Sequence, residues 1–185
     1  MKIRRLTLQE IRKVYNDHVI FDFPDDERKP LDMIEKLLAE NIYQCFGAFE
    51  IDICIGYAFF ALDGDIYLLD YFAVIPEWRD KGIGTLFLKD VVSQIKAKIL
   101  ILEIEDFKEF SSSSDVEKCI KRQAFYSQAG CVETHVKTKC FGVTYLILEY
   151  PIISAHDKQD ITNAYKRIYQ TLLPKLIYEE NIEIQ

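Results

Sequence analysis

Residues 68–88 read LLDYFAVIPEWRDKGIGTLFL. A β-branched and aromatic run through Val74 and Ile75 gives way to Pro76, then to Arg79, Asp80 and Lys81, then to Gly82 and Gly84, before apolar residues resume. The order is strand, loop, helix, with side chains discarded where the helix starts. A helix N-terminus carries backbone N–H groups without intrahelical acceptors and the positive end of the helix dipole, so it receives anions. Small residues let an anion come close, and Arg79 and Lys81 add charge. A phosphate or pyrophosphate is the natural guest. Neither of two widespread phosphate motifs fits: the P-loop needs a Lys-Ser/Thr pair where Thr85 and Leu86 follow Gly84, and the dinucleotide fingerprint needs a small residue where Phe87 stands.

Upstream, IYQCFGAFEI (42–51), ICIGYAFFAL (53–62) and DIYLLDYFAVI (65–75) are separated by breaks short enough for hairpins, which predicts an antiparallel meander. Before them, Thr7 precedes a predicted helix over 8–19 with Leu8, Ile11, Val14 and Tyr15 on one face. FDFPDDERKP (21–30) reads as a loop, and Pro30 opens a second helix with Leu31, Ile34, Leu37 and Leu38 aligned. Downstream of the glycines, Ile83, Leu86, Phe87, Val91 and Ile95 share a helical face, and KILILEIE (98–105) is a short apolar strand of the buried, parallel type. A serine-containing loop leads to a helix for which Ser114 and Glu117 have capping-box spacing and Gly130 is the natural terminator. CVETHVK (131–137) and GVTYLILEY (142–150) form a final strand pair. Past Pro151, Ile161, Tyr165, Ile168 and Leu172 define one more helix, whose apolar face either covers the sheet or makes a homodimer contact.

The whole chain limits function. Its 185 residues, 49% hydrophobic and 29% charged, suit a folded domain with a real core. A net charge of −7 opposes general nucleic-acid binding. No apolar run approaches the ~20 residues that span a bilayer, and MKIRRLTLQE turns polar too soon for a signal peptide. Cys45, Cys54, Cys119, Cys131 and Cys140 form no CxxC pair and have no histidine partners in sequence, so no metal site and a reducing, cytoplasmic setting are expected.

The segment 68–88 resembles the acetyl-CoA pyrophosphate loop, Arg/Gln-x-x-Gly-x-Gly/Ala, of the GNAT superfamily of N-acetyltransferases, together with its flanking strand and helix. RQAFYSQAGC (122–131) resembles the same family's later helix, and the resemblance spans roughly residues 1–150. It implies an α/β (α+β) fold with a mixed, mostly antiparallel sheet flanked by helices. The domain would occupy 1–152, with 153–185 a helical extension packed on it. It also implies acetyl-CoA as co-substrate, without a metal, and a small-molecule or peptide amine as acceptor. Carried over residue by residue, Arg79, Asp80, Lys81, Gly82, Ile83, Gly84 and Thr85 would hold the pyrophosphate. Phe72, Ala73 and Val74 would present backbone to the acetyl carbonyl and pantetheine, along a strand splayed from its neighbour, and Phe125 would complete the cofactor site. Two positions depart from the family: Cys119 stands where many members have a cofactor-contacting Asn, and Cys131 replaces the usual aromatic after Gly130.

For the chemistry, the family implies Tyr126 as the acid that protonates the departing thiolate. Asp70 and Glu103 are candidate bases, though both can equally be paired or solvated carboxylates, and Glu105 and Asp106 are weaker candidates. Asp25, Asp26 and Glu27 could attract a cationic amine, and Tyr15, Phe21, Phe23 and Tyr145 could wall its site or simply pack. An N-acetyltransferase is the leading expectation. A non-catalytic acyl-CoA-binding or sensing module is the alternative, and a nucleotide-binding regulatory domain is a weaker third.

Overall fold

The computed structural model describes residues 1–109 and 112–185; the middle of the expected serine-containing loop lies outside the described residues. Two compact units divide the chain, Met1–Ala61 with Asp70–Ile95, and Leu62–Leu69 with Lys96–Gln185. Eight strands hydrogen-bond in the order β1-β2-β3-β4-β5-β7-β6-β8, giving a mixed, mostly antiparallel sheet in an α/β fold with a C-terminal helix. Strands β3 (Ile53–Asp63) and β4 (Ile66–Val74) run through both units.

In the first unit, β1 (Lys2–Arg5) pairs antiparallel with β2 (Tyr43–Glu50), and β2 with β3, from Tyr43↔Ala61 to Glu50↔Ile53. Helix α1 (Leu8–Val14) starts at a capping box: Glu10 N–H donates to the Thr7 hydroxyl, and the Glu10 carboxylate accepts from Thr7 N–H at 2.8 Å and from Arg4 at 2.6 and 2.9 Å. The expected single helix over 8–19 is interrupted, because a π-helical turn (Tyr15–Val19) follows, then the short α2 (Ile20–Asp22). Helix α3 (Leu31–Ala39) begins after Pro30 and buries Ile34 and Leu37, while α4 (Ile83–Val92) buries Phe87, Leu88 and Val91. Leu8 and Leu86, expected inward, are exposed, and Ile95 lies past the end of α4. Phe46, Tyr57, Phe59 and Phe87 centre this core.

The second unit contains the parallel ladder from β4 to β5 (Ile99–Glu105), which runs from Ile66↔Ile99 to Leu69↔Leu102 and stops, although β4 continues to Val74. Helix α5 (Ser113–Gln128) precedes β6 (Val132–Cys140) and β7 (Val143–Glu149), which pair antiparallel. The expected Ser114–Glu117 capping box does not form: the helix already begins at Ser113, so both residues lie inside it, and Glu117 pairs with Lys121 instead. Helix α6 (Lys158–Leu172) buries Ile161, Tyr165, Ile168 and Leu172, the face its periodicity marked. Beyond it, α7 (Lys175–Asn181) and β8 (Ile182–Ile184) were not expected; β8 adds to β6 with Cys140↔Ile182 and Thr138↔Ile184. Among the described residues no helix is long and apolar enough to cross a membrane.

Gly56 on β3 lies against the neighbouring strand. A Cβ there would sit 2.9 Å from the Ala73 carbonyl oxygen and 3.3 Å from the Phe87 ring. Gly56→Ala is therefore expected to destabilise by about 1–3 kcal/mol in urea unfolding, the usual cost of overpacking. At the start of α1, the Arg4 hydrogen bond, helped by Thr7, lowers the Glu10 pKa to about 2 from an ordinary value near 4.5. A depressed carboxylate stabilises fully above its unfolded pKa, and the contribution disappears as pH falls through the folded one. Glu10→Gln is expected to cost about 1 kcal/mol at pH 7, with the two unfolding curves converging near pH 2. A gap that persists at that pH would mean the ion pair and cap are not its source.

Candidate functional site

In the first unit the chain leaves β4 with Ile75 N–H donating to the Ile55 carbonyl at 2.9 Å, then turns through a 3₁₀ segment (Pro76–Trp78). Two left-handed residues follow, Asp80 at φ 59° and Gly82 at φ 71°. Asp tolerates this region better than most residues, and glycine enters it without cost. Gly82 is the N-cap of α4, and no side chain caps the helix there. The first-turn N–H groups of Ile83, Gly84 and Thr85 thus have neither intrahelical acceptors nor a side-chain cap, and a helix N-terminus in that state can accept an anion. A Cβ at Gly82 would meet no protein atom within 4 Å, so conformation, not crowding, requires glycine.

Both loop cations already have protein partners. Arg79 Nε donates to the Val74 carbonyl at 2.7 Å, and its Nη2 donates to Asp22 Oδ1 at 2.9 Å. Lys81 Nζ donates to the Glu77 carbonyl at 2.8 Å and lies 5.1 Å from the centre of the Trp78 ring. Phe72 stacks on Phe87 at 5.2 Å, and Phe72, Ala73 and Val74 are half-buried.

Asp70 sits in a buried polar cluster. Lys29 Nζ donates to its Oδ1 at 2.7 Å and the Tyr43 hydroxyl to its Oδ2, with the carboxylate 7% exposed. Burial, reinforced by Asp70, raises the Tyr43 pKa well above the ordinary phenol value. The same contacts fasten the expected loop: Lys29 N–H donates to the Tyr71 hydroxyl at 2.7 Å, which donates to the Glu27 carbonyl at 3.2 Å. Tyr15 OH donates to the Lys29 carbonyl at 2.9 Å. Asp25 pairs with Arg28, while the side chain of Asp26 lies outside the described residues. Phe23 packs edge-on against Tyr71 at 4.8 Å, but Phe21 is exposed.

In the second unit, Glu103 on β5 accepts hydrogen bonds from Tyr165 at 2.7 Å and from Tyr169 at 2.8 Å, both on α6. Burial and then Glu103 raise both phenol pKa values. Glu105 pairs with Arg122 and the buried Asp106 with Lys137, so the weaker base candidates are ion-paired. Tyr126 is buried on α5, and desolvation chiefly raises its pKa. Phe125 meets Tyr126 edge-on at 5.0 Å, and Cys119 is buried on the same helix. Burial pushes the Cys131 thiol up to about 12, consistent with a packing role. Tyr145 is half-buried on β7. Among the described residues no three His, Cys, Asp or Glu side chains gather as a metal site requires.

Sequence reading missed the partners Asp22, Tyr57, Lys29, Tyr43 and Tyr169. The one local signal was the tyrosine pair at i, i+4 on an otherwise apolar helical face.

A family model described as the acetyltransferase (GNAT) family matches residues 8–110. Among solved structures, a GNAT-family protein from Bacteroides thetaiotaomicron has a TM-score of 0.72 at 16% identity, covering 92% of this chain and 97% of its own. The ribosomal-protein-S18-alanine N-acetyltransferase from Escherichia coli has a TM-score of 0.57 at 19% identity, covering 84% and 96%. A GNAT acetyltransferase from Elizabethkingia anophelis with acetyl-CoA bound has a TM-score of 0.52 at 17% identity, covering 82% and 97%. At these identities the likeness is one of fold. A search of curated proteins found no match.

The Asp70 cluster makes a stability test. Lys29→Met leaves a buried carboxylate without its cation and is expected to cost about 3 kcal/mol in urea unfolding, because breaking a buried pair strands a charge. Adding Asp70→Asn to that variant is expected to recover part of the loss. Equal stability of Lys29→Met and wild type would show that the pair is solvated.

Proposed function

The chain belongs to the GNAT family of acetyltransferases, and from that premise we propose that it transfers an acetyl group from acetyl-CoA to a primary amine of a small molecule or peptide by direct attack on the thioester. The observation that carries this reading is the uncapped N-terminus of α4 behind two left-handed residues, within the span that the family model matches. Residues Arg79–Thr85 supply the pyrophosphate cradle. Backbone at Phe72, Ala73 and Val74 orients the thioester, with an N–H aimed at the carbonyl oxygen to stabilise the tetrahedral oxyanion. The end of the β4–β5 ladder at Leu69↔Leu102 supports this, because β4 carries these residues beyond the last paired position. The Val74 carbonyl, an acceptor with no part in holding an oxyanion, is already taken by Arg79.

Collapse of the intermediate expels the CoA thiolate, and Tyr126 is the general acid. Its burial keeps the phenol protonated throughout the neutral range, and the proton moves as charge develops on sulfur. Removal of the amine's proton is assigned to water rather than to direct contact with Asp70 or Glu103. The oxygens of those carboxylates already carry Lys29 and Tyr43, and Tyr165 and Tyr169.

Calorimetric titration with acetyl-CoA is expected to show saturable binding that Gly84→Glu abolishes. Thiol release should then appear with some members of an amine panel, and Tyr126→Phe should lower turnover by about 100-fold, in the range of general acid catalysis, with acetyl-CoA affinity nearly unchanged. An unchanged rate would remove Tyr126 as the acid. Binding without thiol release for any amine would reduce the chain to an acyl-CoA-binding module.

A further inference from the structure

The helical segment between α1 and the loop at 21–30 holds a contact that the transfer reaction leaves unexplained. The π-helical turn Tyr15–Val19 re-aims the residues after it relative to an uninterrupted α-helix, and such turns are frequent at functional positions. Asp22 closes this segment, just before the chain becomes extended at Phe23. Its carboxylate is divided between two partners. Oδ2 accepts from the hydroxyl of Tyr57 at 2.8 Å, and Oδ1 accepts from Arg79 Nη2 at 2.9 Å. Tyr57 is fully buried on β3, so one side of the carboxylate is fixed to the core. Arg79 in turn reaches the end of β4, donating from Nε to the Val74 carbonyl at 2.7 Å.

We infer that Asp22 is the positioning residue of the cofactor loop, a role that rests on the acetyl-CoA reading above. Tyr57, Asp22, Arg79 and Val74 form one chain of hydrogen bonds that passes through Arg79, the residue before left-handed Asp80, and ends on the β4 backbone. The guanidinium is gripped on two edges, so the loop that leads into α4 is held before any ligand arrives. Asp22 also cancels much of the Arg79 charge. Arg79 then contributes to anion binding as a tether more than as a point charge, and the loop pays less ordering entropy on binding.

The two roles of Arg79 predict opposite signs. If Arg79 acted as a charge, removing Asp22 would unmask it and tighten acetyl-CoA binding. As a tether it loses its grip, and binding weakens. Calorimetric titration of acetyl-CoA into wild type, Asp22→Ala, Asp22→Asn and Tyr57→Phe, with Gly84→Glu as the non-binding control, separates them. Asp22→Ala is expected to weaken binding about tenfold with a more unfavourable binding entropy, the signature of a side chain and loop that must now be ordered by the ligand. Asp22→Asn keeps the shape and an acceptor and should return to wild-type affinity or better; Tyr57→Phe should fall between. In turnover, the KM for acetyl-CoA rises in Asp22→Ala while kcat stays near wild type, a split that a merely structural defect would not produce. Thermal unfolding of each apo variant confirms that binding is read on folded protein. Should Asp22→Ala not fold, Tyr57→Phe carries the test, and an unchanged Kd there overturns the role. Unchanged or tighter binding by folded Asp22→Ala overturns it as well. Absence of binding by wild type would remove the acetyl-CoA reading and the positioning role together.

Discussion

The passage from β4 to α4 is made through backbone that most side chains avoid. Asp80 and Gly82 both take left-handed φ values, and the helix that follows starts with no side chain over its first N–H groups. A helix of ten residues can leave its first turn uncapped only because the rest of it is anchored, here by the buried Phe87, Leu88 and Val91. The apolar face supplies the stability that the open end forgoes. The same end is thereby left able to receive an anion, since orphan donors and the helix dipole point the same way. The function proposed for the chain hangs on that economy.

Charge inside each unit is handled by pairing. Asp70 carries Lys29 and Tyr43, Glu103 carries two tyrosines, Asp106 carries Lys137, and the buried Glu149 accepts from the His156 backbone N–H at 2.9 Å. Desolvated carboxylates are costly unless their oxygens are satisfied, so such partners are expected. They also constrain mechanism. A carboxylate that already accepts two or three hydrogen bonds is a poor direct base, whereas a buried phenol that stays protonated is suited to donate. In this chain carboxylates and phenols are common, and what distinguishes one from another is the partners each already holds.

Elements with strong local patterning were legible. The meander over 42–75, the strand–loop–helix over 68–88, α3 after Pro30 and the apolar face of α6 follow from periodicity and turn chemistry within a few residues of each other. Errors fell where neighbours compete. The helix over 8–19 breaks into a π turn although its apolar spacing is unexceptional, and α5 starts ahead of the expected cap. Strand β8 was missed because three residues carry too little pattern, and its pairing with β6 supplies what its own sequence does not.

The amino-acid sequence by itself determined the strand–glycine–helix junction, the meander before it and the family they belong to, because these depend on backbone freedom and on side chains only a few positions apart. Tertiary structure alone decided who holds whom. Lys29 reaches Asp70 across 41 residues, Arg79 reaches Asp22 across 57, and Tyr169 reaches Glu103 across 66. Such pairs leave no periodicity in the chain. They exist because packing the apolar faces delivers particular polar atoms to the same buried place, where each must find a partner or pay for its lost water.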